Sequence, residues 1–304
     1  MPMTKVGLVI LHFNKPDLTG ACLESVKQLE VKNFKLEVVI VNNNPLEEID
    51  FLKKRFPEFI FLEVKENLGF TGGNNFGLNR VLKDKVDFVF LLNNDTLLDK
   101  NLMAGLLKAA KSKPQGGIFA PKIYFAPHYE FHRKRYLEKE RGRVIWYAGG
   151  LFDWRNIIAS HRGVDEVDQG QYHRLEITDF ASGCAMFVRE EVFEKVGLFD
   201  EKYFLYWEDV DFCWRAKQAG YKILFDPLAK VWHANAGSSE VGGPLHDYYL
   251  SRNRMLFGFK YASWRTKFAL IRESLKILFK GSPWQKLGIR DFYLRRFGQA
   301  GFKL

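Results

Sequence analysis

The sequence predicts an α/β protein built on a doubly wound, mostly parallel sheet, followed by a C-terminal helical extension. Three observations carry this reading. Apolar runs alternate with segments of helical spacing through the first third of the chain. Asparagine closes one apolar run after another. The last part of the chain then turns into basic amphipathic helix.

Lys5–Phe13 (KVGLVILHF) is an apolar run closed by Asn14 and Pro16, which suits a buried parallel strand. Asp17–Gln28 follows with Leu18, Cys22, Leu23 and Val26 at helical spacing. Leu36–Asn44 is a second strand ending in three asparagines, and Glu58–Val64 is a third. Asn67–Leu82 (NLGFTGGNNFGLNRVL) turns on glycines into a helix. Val86–Asp95 is a fourth strand, and Leu98–Ser112 another helix. In such sheets ligands bind beyond the carboxyl ends of the strands. Asn14, Asn42–Asn44 and Asn93–Asp95 all fall there.

Pro121–Glu176 breaks the pattern. Its stretch HYEFHRKRYLEKERGR reads as a solvated loop or short helix, and VIWYAGGLFDW and RGVDEVDQGQY as short strands and turns. Ile177–Glu191 leads from a strand into a helix that ends near Gly197. Beyond Gly243 come three helices, Leu245–Lys260, Trp264–Phe279 and Trp284–Arg296, the last two separated by Gly281 and Pro283.

With 47% hydrophobic and 27% charged residues the chain has the composition of a folded, soluble protein. No apolar run reaches the ~20 residues of a membrane-spanning helix. The N-terminal apolar run is short, lacks a small-residue cleavage site and runs into a strand pattern, unlike a signal peptide. Cys22, Cys184 and Cys213 show no metal-ligand spacing and sit in apolar patterns, as buried free thiols in a reducing cytoplasm would. The net charge is +10, and thirteen Lys and Arg against only Glu273 and Asp291 follow Ser251. That excess of eleven accounts for all of it. Because these charges lie among Leu, Ile, Phe and Trp, an anionic membrane surface fits them better than a nucleic-acid groove.

Four segments carry chemistry. In FVFLLNNDT, Asp95 stands at the mouth of a buried strand, where a carboxylate could hold a hard cation on a diphosphate; taken alone, the segment reads better as an Asx turn capping the next helix, with Thr96 assisting. In ENLGFTGGNNFGLN, Gly69, Gly72 and Gly73 permit close backbone approach, and Asn74 and Asn75 suit ligand contact or capping. The G-x-G-x-x-G spacing of dinucleotide sites is absent. In YFLYWEDVDFCW, Glu208, Asp209 and Asp211 occupy the first turn of a helix, where the macrodipole favours anions by ~0.3–1 kcal/mol each. Tyr203, Phe204, Tyr206 and Trp207 around them give the setting of a general base beside a sugar-stacking wall. His233, in VWHANAGSS, follows a strand, and a histidine there is as a rule structural. The Gly-Ser segment after it reads as a lid over a site.

In this order, NLGFTGGNNFG, LLNNDT, SGCAMFVREEVFEKVGLFDE with YWEDVDFCWRAKQAGYKILFDP, VWHANAGSS and YYLSRNRMLF resemble the inverting glycosyltransferases of family 2. The closest likeness is to the rhamnosyltransferase-like subgroup. The resemblance covers Lys5–Phe257. It implies a GT-A catalytic domain over 1–243, with a nucleotide-sugar half at 1–120, an acceptor half at 121–243 and a helical extension at 244–304. Residue by residue, it implies Asp209 as the catalytic base and Trp207, Glu208 and Asp211 on the acceptor side. Phe13, Asn14, Asn42, Asn67, Gly69, Gly73, Asn74, Asn93, Asn94 and Asp95 fall on the donor side. Asn42 stands where many relatives carry a nucleoside-binding Asp, and Asn93 where a D-x-D-type motif has its first Asp. Asp95 then holds a divalent cation, Mg²⁺ or Mn²⁺, together with His233, where galactofuranosyl-type relatives place a metal-binding His.

The implied reaction moves a sugar from a dTDP- or UDP-sugar to a hydroxyl of a saccharide or lipid-linked saccharide, in polysaccharide or glycolipid synthesis. The implied place is the cytoplasm or the inner face of the cytoplasmic membrane. Two other classes stand beside this one. A sugar-phosphate nucleotidyltransferase would carry a glycine-rich basic loop after the first strand, which LHFNKPDL lacks. A non-enzymatic nucleic-acid-binding protein would use the basic tail.

Overall fold

The computed structural model describes residues 3–235 and 242–301. The first half alternates as expected apart from α2 and β5: β1 (Thr4–His12), α1 (Pro16–Lys27), β2 (Phe34–Asn42), α2 (Asp50–Arg55), β3 (Ile60–Glu63), α3 (Gly69–Leu82), β4 (Phe88–Asn93), the short β5 (Thr96–Leu98), whose Leu98 was expected to start a helix, and α4 (Leu102–Ser112). The middle adds β6 (Gly116–Phe125), β7 (Ile145–Tyr147), β8 (Gly150–Asp153), β9 (Ile158–His161), β10 (Glu176–Ile177), β11 (Ala185–Arg189), α5 (Glu190–Val196), α6 (Glu208–Gln218) and β12 (Lys222–His233). Three helices close the chain: α7 (Pro244–Tyr261), α8 (Trp264–Lys280) and α9 (Pro283–Tyr293).

One sheet runs in the order β10-β12-β6-β11-β4-β1-β2-β3, with β5 on β12 and β7 on β6; β8 and β9 form a separate hairpin. The run β4-β1-β2-β3 is parallel throughout, β1 lying between β2 and β4. β11 is antiparallel to both β4 and β6, while β6 and β12 are parallel, so the whole sheet is mixed. The core follows from the apolar runs. Val6 and Leu8–Ile10 of β1, Val39–Val41 of β2 and Val89–Leu92 of β4 are buried, as strands covered by helices on both faces must be. Cys22, Cys184 and Cys213 are buried and unbridged, and burial pushes the Cys22 thiol up to about 12.

Besides β5, two elements depart from expectation. The six-residue α2 is too short for periodicity to reveal. β6 runs across the expected boundary at residue 120, so the two halves share one sheet. Its Gly116, Gly117 and Pro121 argue against a central strand. β12 accommodates the proline: the register passes from Asp226↔Pro121 to Lys230↔Lys122, leaving three residues of β12 outside the ladder at that point.

The C-terminal helices are anchored differently. α7 buries Tyr248, Tyr249, Arg252, Asn253, Met255 and Phe257. α8 buries only Thr266, Leu270 and Ser274, and α9 only Gly288, Ile289 and Asp291. Ser263 and Ser282 cap α8 and α9, each accepting a backbone N–H three residues on.

Candidate active site

The carboxyl ends of β1, β4 and β12 meet the start of α6 around a cavity of about 460 Å³. β1 leads into Phe13, Asn14 and Lys15 on its wall, β4 into Asn93, Asn94 and Asp95, and β12 ends in His233. The segment before β11 adds Ser182, Gly183 and Cys184, and the N-terminus of α6 adds Glu208 and Asp209.

The meeting of Asp95 with His233 is a consequence of strand register. β5 is three residues long but pairs with the end of β12, setting His233 opposite Thr96. The imidazole Nε2 then lies 3.1 Å from Asp95 Oδ1, while its buried Nδ1 has no hydrogen-bond partner. Burial opposes charge on this ring, but Cys184 and the Asp95 carboxylate together hold it well above its ordinary value. Once the proton between them is displaced, the pair could hold a divalent cation: two neighbouring ligands of an octahedral ion at about 2.1 Å stand about 3 Å apart. Among the described residues no group of three His, Cys, Asp or Glu forms a metal cage. Water and diphosphate oxygens would complete the shell, as is usual for phosphate-bound Mg²⁺.

At the other side of the cavity Asp209 is half-buried. Its Oδ2 accepts the N–H of Gly183 at 2.9 Å and its Oδ1 that of Val210 at 2.8 Å. Burial raises its pKa and those N–H bonds restrain the rise. Glu208 is 4% exposed and its Oε2 has no partner. Burial, reinforced by the adjacent Asp209 charge, drives its carboxyl well above the carboxylate range.

The loop that aims these carboxylates is strained. Phe204, Tyr206 and Trp207 all have left-handed backbone, with φ of 63°, 66° and 77°, a region non-glycine residues seldom occupy. α7 holds it there. Asn253 Nδ2 lies 2.8–2.9 Å from the carbonyl oxygens of Tyr203, Leu205 and Tyr206. Arg252, fully buried, donates to the carbonyls of Lys202, Tyr203 and Gly298. No motif reading gave these two residues a role, and their place within the polar run Ser251–Arg254 did not set them apart.

His161 also escaped the sequence reading. It lies on β9, in a segment without a motif, and lines the cavity with Trp146, whose ring is packed edge-on against both His161 and His233. His161 Nδ1 donates to the Trp146 carbonyl at 3.2 Å, which leaves Nε2 as an acceptor. Burial lowers its pKa to about 4, so the ring is neutral at neutral pH.

Other expected residues do not reach the cavity. Asn42 is buried, its Nδ2 engaged by the Glu47 carbonyl and the Glu63 carboxylate. Asn67 Oδ1 accepts from Asn43 and from the Gly69 N–H, and Asn74 donates to the Phe70 carbonyl. Gly69 (φ 70°) lets the Phe204 loop approach: a Cβ there would stand 2.5 Å from the Phe204 ring. Gly73 lets α3 pack on β1, where a Cβ would meet Leu11 at 2.4 Å. These five residues, expected on the donor side, do not line the cavity. Asp211, expected on the acceptor side, does not line it either. It is fully buried and bound by Arg215, Lys260, Tyr203 and Tyr261. Trp207 faces a second cavity of about 310 Å³, walled also by Ile157, Ile158 and Leu250, which shares His161, Tyr206, Glu208 and Asp209 with the first. The segment expected as a lid, within 236–241, lies outside the described residues.

The model of the family described as Glycosyl transferase family 2 matches residues 8–197. The low-salt glycan biosynthesis hexosyltransferase Agl10 of Haloferax volcanii is 25% identical over 234 residues, 76% of this chain and 66% of that protein. The N-acetylglucosaminyl-diphospho-decaprenol L-rhamnosyltransferase of Mycobacterium tuberculosis is 29% identical over 199 residues, 61% of this chain and 62% of that one. The poly-beta-1,6-N-acetyl-D-glucosamine synthase of Staphylococcus aureus is 23% identical over 232 residues, 75% of this chain and 49% of that one. The matches thus span two thirds or less of these relatives' own length. Among solved structures, GalNAc-T7 with UDP, GalNAc and Mn²⁺ superposes with a TM-score of 0.64 at 15% identity, over 95% of this chain and 54% of that one. The fold is GT-A.

Proposed function

Since this chain belongs to glycosyl transferase family 2, we propose that it is an inverting, metal-dependent glycosyltransferase that moves a sugar from a nucleoside-diphosphate donor to a saccharide hydroxyl. The observation that carries this reading is one cavity holding a carboxylate–imidazole pair at one side and the half-buried Asp209 at the other. Family membership supports glycosyl transfer over nucleotidyl transfer and over nucleic-acid binding.

The donor is a dTDP- or UDP-sugar, its nucleotide lying against Phe13, Asn14 and Lys15 and its diphosphate near Asn93, Asn94 and Asp95. The UDP and Mn²⁺ held by GalNAc-T7 support this class of donor. Asp95 and His233 would hold a divalent cation, which supplies positive charge to the departing diphosphate. The acceptor enters by the second cavity, its apolar face on Trp207, Ile158 and Leu250. His161 Nε2 accepts a hydrogen bond from a sugar hydroxyl. Asp209 orients the reacting hydroxyl and takes its proton. The acceptor oxygen forms a bond to the anomeric carbon while that carbon's bond to the diphosphate oxygen breaks. The bonding pair leaves with the nucleoside diphosphate, and the anomeric centre inverts in one displacement. The rhamnosyltransferase and the polysaccharide synthase among the relatives support a saccharide acceptor, and the former's name a lipid-linked one, in polysaccharide or glycolipid synthesis. An acceptor of that kind lies at the cytoplasmic membrane face, where an anionic surface would meet the basic extension.

The test is nucleoside diphosphate release from a panel of dTDP- and UDP-sugars with Mn²⁺ or Mg²⁺, with and without saccharide acceptors. Release from one donor that rises with an acceptor is expected. No release from any donor by folded protein would sink the reading.

A further inference from the structure

α8 carries an apolar stripe that none of the described residues covers. Trp264 is 77% exposed, Phe268 70%, Leu275 49% and Phe279 81%. At 3.6 residues per turn these four fall within an arc of about 60°. Leu270 and Ser274, which face the protein, lie on the other side of the helix. So the apolar residues of this helix do two jobs: Leu270 fastens it down and the stripe points away.

The flank of the stripe is basic. Arg265, Arg272, Lys276 and Lys280 are exposed beside it, and Lys267 packs over the Trp264 ring at 5.1 Å. Glu273, the one acidic residue of α8, is engaged by both guanidinium nitrogens of Arg254 at 2.8 Å, and its charge is neutralised there. Exposed Trp and Phe bordered by unopposed Lys and Arg on a helix lying along the molecular surface is the design of a helix seated in a lipid headgroup layer. A second copy of this chain is a poorer occupant: a two-fold contact through the stripe would set both copies' Arg265, Arg272 and Lys276 against one another. No helix among the described residues is long and apolar enough to cross a membrane, so contact of this kind is with the surface.

We propose that the outward face of α8 docks the protein on an anionic lipid surface, Trp264, Phe268, Leu275 and Phe279 entering the headgroup layer and the flanking Lys and Arg meeting lipid phosphates. This deepens the reading above, resting on it only for the link to a lipid-borne acceptor.

The experiment is co-flotation of the full chain with vesicles of phosphatidylcholine alone and of phosphatidylcholine with phosphatidylglycerol. Binding is expected to the anionic vesicles only, and to weaken at high salt. The double variant Phe268→Asp/Phe279→Asp is expected to lower vesicle partitioning at least ~10-fold. Arg272→Glu/Lys276→Glu tests the charged flank separately and is expected to lose the preference for anionic lipid. Donor hydrolysis stays unchanged in both, which shows them folded. Absence of binding by folded wild type, or binding that both double variants retain, overturns the proposal. So does a dimer that Phe268→Asp/Phe279→Asp dissociates without any vesicle binding. Vesicle binding without sugar transfer would instead strike at the glycosyltransferase reading.

Discussion

Asp209 and Glu208 are neighbours in sequence with opposite environments. Asp209 accepts two backbone N–H groups, while Glu208 Oε2 is buried with none. Asp209→Asn is therefore expected to cost ~10²–10⁴-fold in transfer with donor binding kept. Glu208→Gln, which still offers a donor, is expected to stay within about tenfold of wild type; the reverse ranking in a transfer assay would move the base to Glu208. Stability separates them again. The folded pKa of Glu208 is raised above its unfolded value, so the stability it contributes is fully present below about pH 4.3 and is lost as pH rises. Glu208→Gln should gain on wild type by up to ~1.4 kcal/mol per pH unit above that point, read by denaturant unfolding at several pH values. If Asp209 is the base proposed above, its raised pKa is expected to place the acid limb of kcat/KM above the ordinary Asp value of about 3.9. His161, lowered to about 4, should add no limb near 6.5. His161→Ala would remove the hydrogen bond proposed to the acceptor and is expected to lower kcat/KM for acceptor by about 3–10-fold, with donor hydrolysis intact.

Among the elements, α7 is the one whose work is least visible in its own sequence. It lies outside the matched residues 8–197, yet Asn253 and Arg252 hold the backbone of the strained loop that starts α6. Asn253→Ala leaves three loop carbonyls without that donor. It is expected to cost ~1–3 kcal/mol of stability and to lower kcat while the donor KM is kept. Asn253→Asp, which cannot donate, should do no better. A variant with unchanged kcat would show that the loop holds itself. α3 meets the same loop from the other side. Gly69→Ala adds a Cβ in a left-handed conformation against the Phe204 ring and backbone. A loss of more than ~1 kcal/mol is expected by thermal or denaturant unfolding.

At the scale of the whole molecule, the site exists because one sheet joins the two parts of the chain. Asp95 follows β4 and His233 ends β12; the β5–β12 register brings them together across more than a hundred residues. Activity is expected to vanish in excess chelator and return with Mn²⁺ or Mg²⁺. Asp95→Ala and His233→Ala should each raise the metal concentration for half-maximal activity at least tenfold. Full activity in chelator would refute the metal role, and a loss confined to Asp95→Ala would make His233 structural.

By itself the sequence determined the alternating parallel half, because buried strands and amphipathic helices have periods that show in short windows. It also determined the strand-mouth residues Asn14 and Asn93–Asp95 and the carboxylates at the start of α6, since those positions follow from where each run ends. The tertiary structure decided the rest. Which asparagines face the cavity depended on distant partners: Glu63 engages Asn42, and Asn43 and Gly69 engage Asn67. β6 was hidden because its proline is tolerated only through an irregularity in β12. Asp211 shares the local pattern of Asp209, but Lys260 and Tyr261, fifty residues on, remove it from the site. His161 becomes a cavity wall only when β9 folds back beside Trp146. Local periodicity reports how a segment meets its neighbours in the chain; side-chain partners are set by contacts that close over long loops, and no window of sequence contains them.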